Sequence, residues 1–245
     1  MTLEIALLIV AILIIAVGLV SGAVAIWLVV QYYKYNRKPN SIGLSGIEIA
    51  RKILDDHGLS HIKVKKTGSL LFGNSYSHYF KKVRLRGHIK NEKSITSIGM
   101  GAQKAALAIL DKENDPDMRH RIRMVPFVSI GPFAFIPLIV IGALLDYFVF
   151  NQSGTCVLIF SILAVLFYAY TIIFSVKTLK TEKKAQERAY TILREEYNAT
   201  EEELNDLKAL FRLYNIQYIN DIILSSLELL YTILQMYSSA KGGNS

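Results

Sequence analysis

The sequence predicts a mainly α integral membrane protein, with about four transmembrane helices and a small cytoplasmic α+β unit between the first and second. Three observations carry this reading. Hydrophobic residues fill 52% of 245 positions against 20% charged, with a mean hydropathy of +0.32. That is too apolar for a disordered chain and lopsided for a soluble enzyme. The apolar residues fall in long uncharged runs. Cations gather beside those runs, 28 Lys+Arg against 20 Asp+Glu for a net charge of +8. The single cysteine, Cys156, excludes an intramolecular disulfide framework and a thiolate zinc site.

Residues 5–30 form the first expected span. They carry no charge and as a helix reach ~39 Å, enough to cross a ~30 Å hydrocarbon core with tilt. Met1-Thr2-Leu3-Glu4 lacks the basic start of a cleaved signal peptide, and the run is too long for one. Trp27, Tyr32 and Tyr33 suit an aromatic belt. Lys34, Arg37 and Lys38 then place the C-terminal end in the cytoplasm.

Residues 40–123 follow as a cytoplasmic α+β region. Ser45-Gly46-Ile47-Glu48 is a capping box opening a helix with Ile47, Ala50, Ile53 and Leu54 on its apolar side, and Gly58 closes it. Ile62 and Val64 then alternate with His61, Lys63 and Lys65, and Val83 and Leu85 with Lys82, Arg84 and Arg86. Gly73-Asn74 between them predicts a meander or hairpin. If the two strands are neighbours in register, Lys63, Lys65, Lys82, Arg84 and Arg86 share one face, at a cost that water, acids or an anionic surface must relieve. A solvated face, anionic lipid headgroups and nucleic acid compete to explain it. No recognised motif supports nucleic acid. A further helix runs from Ser94 to about Lys112, and its small residues, Gly99 and Gly101 among them, imply close packing. Arg119, Arg121 and Arg123 lead onward, with headgroup contact as their default role.

Residues 124–176 make a hairpin of two spans. Pro126, Gly131, Pro132 and Pro137 predict a kink or break in the first half. Asp146 is its one charge, and Asn151-Gln152-Ser153-Gly154-Thr155 is the turn. Residues 177–217 form a second cytoplasmic region, entered through Lys177, Lys180, Lys183 and Lys184. Thr200-Glu201-Glu202-Glu203 is another capping box, which explains Asn198-Ala199-Thr200 better than glycosylation does. In residues 218–237, Asp221, Ser225, Glu228, Thr232 and Gln235 form one narrow polar stripe. A spanning helix with its stripe turned into the bundle explains this, and so does an interfacial helix. From Tyr32 to Arg123 there are 19 Lys+Arg and 8 Asp+Glu, and from Lys177 to Gln217 there are 8 of each. The positive-inside rule puts both regions in the cytoplasm. The expected location is a multi-pass place in a bacterial cell membrane.

The order of these blocks resembles the membrane-embedded neutral zinc metallopeptidases of the YugP type. The matching pieces are Gly43-Leu44-Ser45-Gly46-Ile47-Glu48-Ile49-Ala50-Arg51-Lys52-Ile53-Leu54 and Lys82-Val83-Arg84-Leu85. Met124-Val125-Pro126, Ile130-Gly131 and Glu201-Glu202-Glu203-Leu204 follow in order, so the resemblance covers about Gly43 to Tyr237. It implies a zinc-binding helix with His-Glu-x-x-His, where two imidazoles at i and i+4 bind one metal and the Glu activates water. In this chain the block reads Ala102-Gln103-Lys104-Ala105-Ala106-Leu107-Ala108. Gln103 and Leu107 stand at the ligand positions and Lys104 at the general base. The family's third ligand, a Glu, falls at Thr178, or at Lys177 after a shift of one.

The resemblance thus implies a pseudoenzyme with no catalytic residue, no bound metal and no cofactor, since an ammonium repels a dication and no carboxylate remains at these positions. Glu182 stands one turn beyond the third position among lysines. Tyr76 matches a family tyrosine near the cleft, though an aromatic in a small sheet needs no catalytic role. His57, His61, His78, His88 and His120 read as surface histidines. The leading function is binding or regulating a membrane partner, another membrane protein or a second copy, with Asp221 and Glu228 as the intramembrane interface. The alternatives are an active metallopeptidase with substituted ligands and an anionic-lipid-responsive module acting through the basic strands.

Overall fold

The computed structural model describes residues 3–67, 73–128, 131–150 and 154–242. Long helices dominate. In chain order they are α1 (Leu3–Asn36), α2 (Gly46–Asp56), α3 (Gly87–Asn91), α4 (Ile95–Lys112), α5 (Pro116–Val128), α6 (Gly131–Phe148), α7 (Thr155–Glu195) and α8 (Glu201–Gly242). Three short strands lie between α2 and α3: β1 (Lys63–Thr67), β2 (Ser75–Ser77) and β3 (Lys82–Arg86). The chain divides into two compact units. One takes Met1–Gly22, Arg123–Lys177 and Tyr218–Ser245, and the other Ala23–Ile122 and Thr178–Gln217.

The expected number of spans is corrected. Among the described residues two helices, α1 and α7, are long and apolar enough to cross a membrane, not four. In α8 the stripe of Asp221, Ser225, Glu228, Thr232 and Gln235 dilutes the apolar run. In α6 the apolar helix is the short stretch Pro137–Phe148, below the ~20 residues a span needs. Residues 129–130, between α5 and α6 in the half where the break is expected, lie outside the described residues, and Pro126 and Pro137 sit inside those helices. Residues 151–153 of the expected turn lie outside the described residues. Asp146 has a structural use. Its carboxylate oxygens accept from the backbone amides of Cys156 at 3.1 Å and Val157 at 2.7 Å. These are first-turn donors of α7 that have no partner within their own helix, and the acid also complements the positive end of that helix.

The second unit is built around α4, which is buried from Ile95 to Leu110. Ser94 caps it, its hydroxyl accepting from Ser97 N at 3.1 Å. The Ser45 box forms in full: Ser45 N donates to Glu48 Oε2 at 2.7 Å while Ser45 Oγ accepts from Glu48 N. Its helix buries Gly46, Ile49, Ala50, Ile53 and Leu54, so Ile49 rather than Ile47 belongs to the apolar face. The Thr200 box forms as well, with Thr200 N donating to Glu203 Oε2 at 2.8 Å. The same carboxylate takes Ser41 N and Ser41 Oγ at 2.5 and 2.6 Å, tying the loop before α2 to the start of α8. Close packing at the glycines is real. A Cβ on Gly101 would stand 2.4 Å from the backbone oxygen of Gly46, and one on Gly99 2.2 Å from Leu207 Cδ2.

The sheet corrects the expected hairpin. Its order is β1-β3-β2, with β1 parallel to β3 and β2 antiparallel to it. The tight connection joins β2 to β3, through Lys81 at φ +43°. Parallel register sets Val64 beside Val83, and β2 adds Tyr76 opposite Val83. The buried face is thereby kept apolar, with Val83 and Leu85 fully buried.

Candidate functional site

Gln103 and Leu107 are one helical turn apart on α4 and share a face. Both are buried, Leu107 completely. The residues that meet here are Gln103, Lys104, Glu182 and Arg121. Glu182 Oε2 accepts from Gln103 Nε2 at 2.9 Å and from Lys104 Nζ at 2.8 Å. Glu182 Oε1 lies 3.2 Å from Arg121 Nη2. The Lys104, Glu182 and Arg121 side chains are 9%, 14% and 17% exposed, so the cluster is largely withdrawn from water. Burial alone pushes the Glu182 carboxyl upward, but Lys104 and then Arg121 outweigh it and hold its pKa below the usual value.

Two expectations change here. Glu182 is not a bystander among lysines; it is the counter-ion of α4. Arg121 turns inward to the same carboxylate instead of standing free for headgroups. The signals were present in the sequence. A helix buried all round with a lysine in its middle demands an acid, and Glu182, four residues past Thr178, lies on the same helical face. Thr178 is itself buried, and its Oγ1 has no hydrogen-bond partner among the described residues. Lys177, the alternative third position, falls in the other unit. Neither Thr178 nor Leu107 joins the cluster.

The donor set does not fit a zinc ion. Zinc takes imidazole nitrogen, thiolate or carboxylate in a tetrahedron. Here the positions offer an amide, an ammonium, an aliphatic chain and a hydroxyl. The nearby carboxylate already serves two cations and an amide. A metal could take Glu182 only by evicting Lys104, and breaking a buried pair costs about 3–5 kcal/mol. Among the described residues, no group of three His, Cys, Asp or Glu side chains is placed to hold a metal.

A second ion-pair group fixes α7 along the same edge. Lys184 Nζ lies 2.8 Å from Asp115 and 2.5 Å from Asp117, and Lys180 Nζ lies 3.1 Å from Asp117. Asp115 also caps α5, accepting from Asp117 N and Met118 N at 2.9 and 3.0 Å. Lys184 above all holds the Asp117 pKa below normal.

Tyr76 donates to Asp111 Oδ2 at 2.5 Å, and His78 Nδ1 lies 2.7 Å from the same oxygen. The hydroxyl therefore ties β2 to α4 two turns from Lys104. His57 Nδ1 lies 3.0 Å from Ile53 O, and its Nε2 is 3.6 Å from Glu196. His61 and His120 are exposed, and the His88 side chain lies outside the described residues.

The register pairs Lys63 with Lys82 and Lys65 with Arg84. By strand alternation Lys63, Lys65, Lys82, Arg84 and Arg86 occupy one face, and β2 adds Ser75 and Ser77 opposite Arg84 and Lys82. Lys82 Nζ stands 4.4 Å from the centroid of the exposed Phe80 ring and Arg84 Cζ 6.0 Å from it. The Lys82 pKa is lowered, first by burial and then by Arg84 and Lys65. In the first unit, Asp221 and Glu228 have intramolecular partners: Ser21 Oγ donates to Asp221 at 3.2 Å and Tyr168 Oη to Glu228 at 2.7 Å.

Over 208 residues the chain is 25% identical to a Bacillus subtilis (strain 168) protein named "Putative membrane protease YugP", covering 83% of this chain and 86% of that one. No solved structure matches. A family model described as "Putative neutral zinc metallopeptidase" matches residues 9–237. With that match running through α4, the Glu182 cluster and α8, the chain belongs to the neutral zinc metallopeptidase family.

Proposed function

We propose that this chain is a catalytically inactive member of its family. On this reading it keeps the peptidase scaffold and binds or regulates a membrane partner, either another membrane protein or a second copy. One observation carries the loss of chemistry: the ammonium at the general-base position is neutralised by Glu182 within 2.8 Å. A base must accept a proton from water, and an ammonium held by a buried carboxylate has no lone pair with which to take it. In the proposal, the Lys104–Glu182–Arg121 cluster takes over the cross-linking of α4 and α7 that a metal gives in active relatives. The chain is multi-pass, with α1 and α7 in the membrane and the basic hydrophilic regions in the cytoplasm.

The test uses the full-length purified chain from zinc-replete cells. Metal analysis is expected to give far less than one zinc per chain, and a peptide-cleavage assay no chelator-sensitive activity. One zinc per chain, lost in Glu182→Ala or Gln103→Ala, would establish the competing reading of an active enzyme with substituted ligands. For the partner, Asp221→Leu and Glu228→Leu are expected to change the co-purifying proteins or the oligomeric state. Unchanged recovery of both would remove that stripe as an interface.

A second reading is favoured by the sheet register. Five cations on one face beside exposed Phe80 fit an anionic surface, where each nearby Lys or Arg contributes ~1 kcal/mol. Vesicle binding that depends on anionic lipid and falls in Lys63→Gln/Lys65→Gln/Lys82→Gln supports it.

A further inference from the structure

A cavity of about 480 Å³ opens between α1 and α8, within the usual range for small-molecule sites. Two helical stripes line it. Trp27, Gln31, Lys34 and Tyr35 recur at i, i+4, i+7 and i+8 on α1. Arg212, Leu213 and Ile216 recur on one face of α8. We infer that this cavity binds the headgroup of an anionic phospholipid that also carries a headgroup hydroxyl.

Charge selects the ligand's sign. Lys34 and Arg212 line the cavity, both are exposed, and neither forms an ion pair among the described residues. The acids one to two turns further toward the start of α8, Asp206 and Glu202, are occupied by Lys38 at 2.6 and 3.4 Å. An ammonium and a guanidinium without acids suit one phosphodiester.

Polarity selects the rest of the molecule. Gln31 Oε1 is buried and accepts no hydrogen bond among the described residues, a desolvation cost that a hydroxyl donor would remove. Leu213 and Ile216 supply an apolar wall, and Trp27 follows directly on the uncharged run of α1. A free phosphate would leave that apolar wall unused, whereas a lipid uses phosphate, hydroxyl and chain together. Basic pockets between helices at the cytoplasmic boundary are where such headgroups bind. The inference rests on the reading of α1 as bilayer-embedded up to about Trp27.

Trp27 is the one tryptophan of the chain, so its fluorescence reports this site directly. The experiment reconstitutes the full chain into phosphatidylcholine nanodiscs containing brominated phosphatidylglycerol or, separately, brominated phosphatidylcholine. Quenching of Trp27 is expected at a mole fraction lower by on the order of tenfold for phosphatidylglycerol. Lys34→Gln/Arg212→Gln should abolish that preference while leaving quenching by brominated phosphatidylcholine unchanged, and Gln31→Leu should weaken it. Lys63→Gln/Lys65→Gln/Lys82→Gln should keep it.

Equal quenching by both lipids in the unmodified chain would overturn the site and leave a membrane-embedded α1 standing. Absence of quenching by either would overturn both together. Loss of preference in the sheet variant alone would move lipid selection to the strands and refute this site. Full protection of Trp27 by millimolar inorganic phosphate would show a site for the free ion and refute the lipid.

Discussion

Lys104 Nζ lies 2.8 Å from Glu182 Oε2, across 78 residues of chain. Glu182 is shared with Arg121 while Lys104 has no other carboxylate among the described residues, so the pair is asymmetric. Replacing Glu182 with Gln leaves two largely buried cations without an acid. Replacing Lys104 with Met leaves Glu182 with Arg121. Glu182→Gln should therefore destabilise by about 3 kcal/mol or more and Lys104→Met by clearly less. Thermal unfolding of the detergent-solubilised chain reads the order; equal losses would mean that Arg121 contributes nothing.

The two ion-pair groups set an acid limit. Glu182 and Asp117 both have folded-state pKa values below their unfolded ones. Such groups stabilise fully above the ordinary carboxylate range, and the stabilisation is lost as pH falls through the depressed folded values. Melting temperature should fall from about pH 4.5 downward. The fall should be shallower in Glu182→Gln, which has lost one of the carboxylates held below the ordinary range, alongside Asp115, Asp117, Glu48 and Glu203. A profile in that variant as steep as in the parent chain would assign acid sensitivity elsewhere.

Two glycines in one helix should respond differently. The Cβ of Gly101→Ala meets the backbone oxygen of Gly46 at 2.4 Å, and that of Gly99→Ala meets a leucine methyl at 2.2 Å. A side chain can rotate away and a backbone cannot. Gly101→Ala should cost about 1–3 kcal/mol, and Gly99→Ala less. Chemical unfolding of the two variants measures the difference.

Asp146 caps α7 through Cys156 N and Val157 N. Asp146→Ala should cost about 1–2 kcal/mol, with Asp146→Asn recovering part of it by keeping one acceptor. Protease sensitivity between α6 and α7 gives the readout, and it should rise in the alanine variant.

Local chemistry was readable from the sequence. Both capping boxes form as their spacing dictates, Gly58 ends α2 at φ +66°, and Gly99 and Gly101 sit at close helix contacts. The charge alternation of Lys63, Lys65, Lys82, Arg84 and Arg86 survives because side-chain direction depends on parity alone. What could not be read was pairing over distance. A parallel β1–β3 arrangement and a hairpin satisfy the same alternation, and only burial of Tyr76 with Val83 separates them. Glu182 meets Lys104 because two helices pack, and linear matching at Thr178 placed the important position one turn away. The polar stripe of α8 lowers its total hydropathy and leaves that helix short of a clear span.

The Lys104–Glu182 pair also constrains biogenesis. A ribosome adding about 5–20 residues per second needs roughly 4–16 s after Lys104 to deliver its acid. Through that interval α4 holds a cation that cannot yet be neutralised, and the apolar α5–α7 stretch emerges meanwhile. The α4 core therefore closes with its charge neutralised only once α7 has been made, so the second unit matures late in synthesis and not as an early N-terminal body.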